Sequence, residues 1–89
     1  MTCLFFTADW CSVCRTVRPL IEKLQATGYE IRIVNTDQEK EFSAKFNVTA
    51  LPTTIILQDS RELKRFVGKI SEGTLRTLLT KKIVEYKIY

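Results

Sequence analysis

Histidine is absent from the 89 residues, and the chain has only two prolines, three glycines and three cysteines. Without imidazole no side chain of ordinary pKa titrates near neutrality. Three thiols and no histidine cannot close a four-ligand zinc site unless a carboxylate or a second chain contributes. An odd cysteine count also fails the even framework that a secreted disulfide scaffold needs. Repeats, low-complexity tracts and linkers are missing, and the prolines and glycines stand as single punctuation marks. No apolar run approaches the ~18 residues of a membrane span. The patch Cys3-Leu4-Phe5-Phe6 is too short for a signal-peptide core and has no basic stretch before it, so a cytoplasmic protein is expected.

Lys and Arg total 14 against 10 Asp and Glu, for a net charge of +4. These cations are scattered rather than gathered into a stripe with aromatics between them, so they read as a solvated surface and nucleic acid is not expected as a partner. With 45% hydrophobic and 27% charged residues the composition is that of one globular domain spanning 1–89. Folding at this length buries somewhat more than ~60% of the unfolded surface, enough for one core and not two.

Thr2 to Thr7 is a continuous apolar run of strand length and reads as a buried strand. From about Cys11 to Thr27, Val13, Val17, Leu20, Ile21 and Leu24 recur at helical spacing, with Gly28 as the stop and Pro19 expected to kink the helix. Tyr29 to Thr36 reads as a second strand, and Asp37 as the cap of a short helix carrying Phe42 and Phe46. Asn47 to Leu51 is a loop reaching Pro52. Thr53 to Leu57 and Leu63 to Val67 then form a hairpin about Asp59-Ser60. Ser71 caps a last helix with Leu75, Leu78, Leu79 and Ile83 on its apolar face, and the alternating tail Ile83 to Tyr89 leaves fraying, helix and edge strand all open. A right-handed crossover makes the first two strands parallel neighbours, and the hairpin extends the sheet antiparallel with helices on both faces.

Cys11-Ser12-Val13-Cys14 straddles the junction of the first strand and the first helix. Cysteines three apart in a first helical turn share a face, with Cβ atoms roughly 5 Å apart, so a bridge between them can open and close. The free amides and the positive dipole end of that turn stabilise a thiolate, and Arg15 and Arg18 add positive charge nearby. Cys3, inside the first strand, reads as a small buried hydrophobe. Phe42, Phe46 and Phe66 read as core.

Trp10-Cys11-Ser12-Val13-Cys14-Arg15, followed by Pro19, resembles the active-site segment of the thioredoxin family, and Thr49-Ala50-Leu51-Pro52-Thr53 resembles its cis-proline loop. The likeness runs from Leu4 to about Leu79 and takes in Asn35-Thr36-Asp37 and Val67-Gly68. It implies a three-layer α/β/α fold in minimal form, with a four-stranded mixed sheet of order 2-1-3-4 and three helices, lacking the family's N-terminal strand and helix. It also implies that Cys11 is the exposed attacking thiolate and Cys14 the more buried resolving thiol, with Arg15 tuning the thiolate. Trp10, Leu51 and a cis Pro52 would form the substrate-binding surface.

The function implied is that of a thiol–disulfide oxidoreductase reducing protein disulfides. It would act as a monomer with no organic cofactor, metal or membrane, and would be regenerated by a flavin-dependent reductase or by glutathione. Ser12-Val13 replaces the Gly-Pro usual in thioredoxins. Phe5 and Ile33 stand where the family often keeps a buried aspartate and a lysine, which removes a desolvation cost and also the usual proton acceptor for Cys14. Two other functions compete: a protein-binding module that uses the cis-proline surface, and a zinc or iron–sulfur carrier that bridges two chains through Cys11 and Cys14.

Overall fold

The computed structural model describes residues 1–79. Its elements are β1 (Thr2–Thr7), α1 (Ser12–Ala26), β2 (Ile31–Asn35), α2 (Lys40–Lys45), β3 (Thr53–Gln58) and β4 (Arg61–Val67). A further helix, α3, occupies 72–79. The alternating tail from Ile83 lies outside the described residues.

The sheet has the order β2-β1-β3-β4. β1 runs parallel to β2 through the α1 crossover, with Phe5 beside Ile33, and antiparallel to β3, with Phe5 beside Thr54. β3 and β4 form the hairpin, whose turn residues Asp59 and Ser60 take φ of 51° and 70°. Both central positions left-handed is the turn form that matches the twist of paired strands.

Alternation along β1 divides the core in two. Cys3 and Phe5 face α1 and α3, packing with Val17, Ile21, Leu24, Ile56, Leu75 and Leu79. Leu4 and Phe6 face α2, against Val34 and Ile55, with Phe42 and Phe46 packed over them. Helices thus cover both faces of the sheet, as expected. Phe42, Phe46 and Phe66 are partly rather than fully buried. Cys3 is fully buried, and its thiol is pushed up to about 12 by desolvation.

Element ends differ from expectation by a few residues. α1 starts at Ser12 with Cys11 as its N-cap, β2 is confined to Ile31–Asn35, and β4 begins at Arg61. Pro19 lies inside α1. Asp37 does not cap α2, which starts at Lys40 behind Glu39 with no side-chain cap. The Asn35 side-chain oxygen accepts the amides of Asp37 and Gln38 at 2.9 and 3.3 Å, which holds those residues in a turn. The Ser71 cap forms as expected, with Thr74 N donating to Ser71 Oγ at 3.2 Å.

Candidate active site

The end of β1 and the start of α1 bring the cysteines together. Ala8 and the residues after it turn the chain, with Cys11 N donating to Ala8 O at 3.2 Å. Cys11 is extended, with φ −86° and ψ 110°, and Cys14 sits in the first helical turn. The two form a disulfide across 5.3 Å between Cα atoms. Cys14 N donates to Cys11 Sγ at 3.2 Å, so the sulfur occupies the place of an N-capping oxygen. No acidic residue sits in that first turn. A negative charge on Cys11 would therefore meet an amide and the positive end of the helix without a carboxylate of α1's first turn to oppose it.

Cys11 is 6% exposed and Cys14 1%. The order matches expectation, but Cys11 is largely covered rather than open. In the bridged state its sulfur is flanked by the partner sulfur and the Cys14 amide. Arg15 Nη2 donates to the Asp9 carbonyl at 2.7 Å. Arg15 and Arg18 line one cavity of about 330 Å³ together with Thr7, Ala8, Asp9 and Cys14.

Trp10 is 68% exposed, and its indole Nε1 donates to Asp37 Oδ2 at 3.0 Å. Beside it a shallower cavity of about 180 Å³ is lined by Trp10, Thr36, Val48, Thr49, Ala50 and Leu51. Two of the residues singled out in the sequence, Trp10 and Leu51, line this hollow, and Pro52 is not in its lining. The Leu51–Pro52 peptide bond is cis, and the Pro52 ring is fully buried while Leu51 remains half-buried. Two bonds fix this loop: Gly68 N donates to Pro52 O at 2.9 Å, and Thr53 Oγ1 donates to Ala50 O at 2.6 Å. Sequence reasoning missed the bond that Asp37 makes to Trp10. In the sequence Asp37 reads as a helix cap, and only the family likeness singles out Asn35-Thr36-Asp37.

A family model described as Thioredoxin matches residues 2–81. The chain belongs to the thioredoxin family. It is 36% identical over 83 residues to mitochondrial thioredoxin-2 of Schizosaccharomyces pombe, covering 91% of this chain and 62% of that protein. With the thioredoxin of Bacillus subtilis it shares 32% over 79 residues, covering 85% and 76%. Among solved structures, Fasciola hepatica thioredoxin superposes with a TM-score of 0.77 at 36% identity, over 90% of this chain and 78% of that one. Thioredoxin 1 of Thermosipho africanus superposes with a TM-score of 0.79 at 26% identity over the whole of both chains. Thioredoxins are thiol–disulfide oxidoreductases, and the bridged Cys11–Cys14 pair of this chain is the redox-active element such chemistry requires.

Proposed function

We propose that residues 1–89 form a single thioredoxin-like domain that reduces protein disulfides through Cys11 and Cys14. The observation that carries this reading is the bridged pair at the opening of α1, with the Cys11 sulfur already accepting a helix amide. In the reduced protein the Cys11 thiolate attacks one sulfur of a substrate disulfide. An S–S bond forms between them and the other substrate sulfur leaves with the electron pair. Cys14 then loses its proton and attacks Cys11 Sγ, which forms the intramolecular bridge and releases the second substrate thiolate.

Trp10 and Leu51, beside Pro52, supply the substrate surface. Their shared hollow is flanked by the backbone of the Pro52 loop, which can bond an extended segment carrying the target disulfide. Arg15 favours the ionised form of the pair through its charge. No organic cofactor or metal enters these steps. The two electrons return from a separate donor, a flavin-dependent reductase or glutathione. Among the described residues no helix is long and apolar enough to cross a membrane. The proposal places the protein in the cytoplasm as a monomer; its relatives include proteins named as mitochondrial and chloroplastic.

The test is reduction of a disulfide-linked model protein with dithiothreitol as donor. Wild type should turn over, Cys11→Ser should lose all turnover, and Cys14→Ser should accumulate a mixed disulfide at Cys11. Full partner binding with no turnover in wild type would favour a docking module instead. Metal or colour in the purified protein would favour a two-chain carrier.

A further inference from the structure

The side of the sheet that faces α1 carries two threonine hydroxyls with no hydrogen bond among the described residues. Thr54 Oγ1 is fully enclosed. Thr7, 2% exposed as a residue, lies two residues beyond Phe5 and therefore on the same face; its hydroxyl has no protein partner among the described residues but, unlike that of Thr54, is not sealed from solvent. The difference is what each one borders. Thr7 opens onto the cavity of about 330 Å³ that also touches Cys14, Arg15 and Arg18. Such a hydroxyl is open to a water in the cavity, and its place beside a buried thiol calls for an explanation.

The second half of the reduction supplies one. Cys14, 1% exposed, must lose a proton before it can attack. Phe5 and Ile33, paired on this face of the sheet, cannot accept it. A cavity of this size holds water readily, and a water there has the polar partners it needs in the Thr7 hydroxyl, the Cys14 thiol and the two guanidinium groups. We infer that a water in this cavity takes the Cys14 proton and that the Thr7 hydroxyl holds that water in place, an assignment that rests on the disulfide-reductase reading above.

The step balances. The Cys14 S–H bond breaks to the water, which passes the proton to solvent. The new thiolate attacks Cys11 Sγ, the Cys11–substrate bond breaks, and the departing substrate thiolate takes a proton from solvent. Thr7 is a positioning residue in this step, since it acts through the water. The charged groups facing the cavity are Asp9, Arg15 and Arg18. Asp9 Oδ1 accepts from Asn35 Nδ2 at 3.4 Å, and Arg18 pairs with Glu22 at 3.2 Å. The sheet residues Phe5, Ile33 and Thr54 are uncharged, and the core residues that 70–79 add to this face, Ile70, Leu75 and Leu79, are apolar. The two cations favour the thiolate and Asp9 opposes it.

The experiment mixes the fully reduced protein with an aromatic disulfide whose thiolate is coloured. Attack by Cys11 releases one thiolate, and displacement by Cys14 releases the second, so the two half-reactions separate in time. Thr7→Val should leave the first phase unchanged and slow the second about tenfold at neutral pH, moving its pH midpoint up by about one unit. Thr7→Ser, which keeps the hydroxyl, should restore both.

A second phase in Thr7→Val with the wild-type rate and pH profile overturns the inference. So does a shift seen with Asp9→Asn and not with Thr7→Val, which would make the carboxylate the acceptor. Should Thr7→Val fail to fold, Thr7→Ala and Thr7→Ser differ by one oxygen, and equal second phases in those two overturn it. Absence of the first phase in wild type would sink the reductase reading itself, and this inference with it.

Discussion

The Trp10 indole and the Asp37 carboxylate are joined at 3.0 Å, which ties the residue preceding the first bridge cysteine to the turn that follows β2. Trp10 is otherwise 68% exposed, so this bond restrains a ring that is largely open to solvent. Asp37→Ala should free the indole, lower its fluorescence anisotropy, and cost about 1 kcal/mol in urea unfolding. Asp37→Asn keeps an acceptor oxygen and should show less of each effect. Because Trp10 is the sole tryptophan, the optical signal needs no deconvolution.

Thiol labelling should rank the three cysteines of the reduced protein. Cys11, the more accessible of the pair and capped by a helix amide, should be alkylated fastest at pH 7. Cys14 should follow slowly. Cys3, with its thiol pushed up to about 12, carries only about one thiolate in 10⁵ at pH 7 and should stay unmodified until the protein is denatured. Mass mapping of the adducts over time checks the order, and equal sluggish reaction at Cys11 and Cys14 would contradict an activated nucleophile.

Thr54→Val should stabilise the protein. Thr54 Oγ1 is enclosed without a partner, and valine has nearly the same shape, so the substitution removes a desolvated polar atom and leaves no void. The expected gain is about 1 kcal/mol, seen as a higher urea midpoint with an unchanged slope.

Acid should weaken the tie at β4. Arg65 donates to Glu62 at 2.7 and 2.8 Å, and that hydrogen bond holds the Glu62 carboxyl below the usual glutamate range. A carboxylate whose folded pKa is depressed contributes stability that is complete above its unfolded pKa and is lost as pH falls through the folded value. Glu62→Gln should therefore flatten part of the stability loss below the ordinary glutamate range. The effect should be small because the pair is partly open to solvent. Urea midpoints measured from neutral pH downward test this. The Arg65 bond to the Phe46 carbonyl at 2.7 Å should persist in the variant.

The features most legible in the sequence were those written as local patterns. The run Thr2–Thr7, the helical spacing from Val13 to Leu24, the Gly28 stop and the strand after it read as a parallel crossover, whereas the full strand order comes from the likeness to the thioredoxin family. The cysteine pair was legible because three residues within a helical turn fix its geometry. Contacts across the chain were less so. Asp37 looked like a cap because its type and place suited one, but the Asn35 side chain had already engaged the nearby amides, leaving the Asp37 carboxylate for an indole 27 residues away in sequence. Cys11 was expected to be open and is largely covered. Nothing in the strand pattern of β1 distinguishes Thr7 from its neighbours, since the cavity it borders exists only where the base of α1 meets the end of that strand.

The Asp59–Ser60 turn closes the end of the β3–β4 hairpin opposite to Pro52. β3 separates the two by six residues, roughly 20 Å of extended backbone. A tether, dye or affinity handle grafted at that tip would sit far from the Cys11–Cys14 bridge, making it the natural point at which to anchor this molecule to a surface while it still exchanges electrons with soluble proteins.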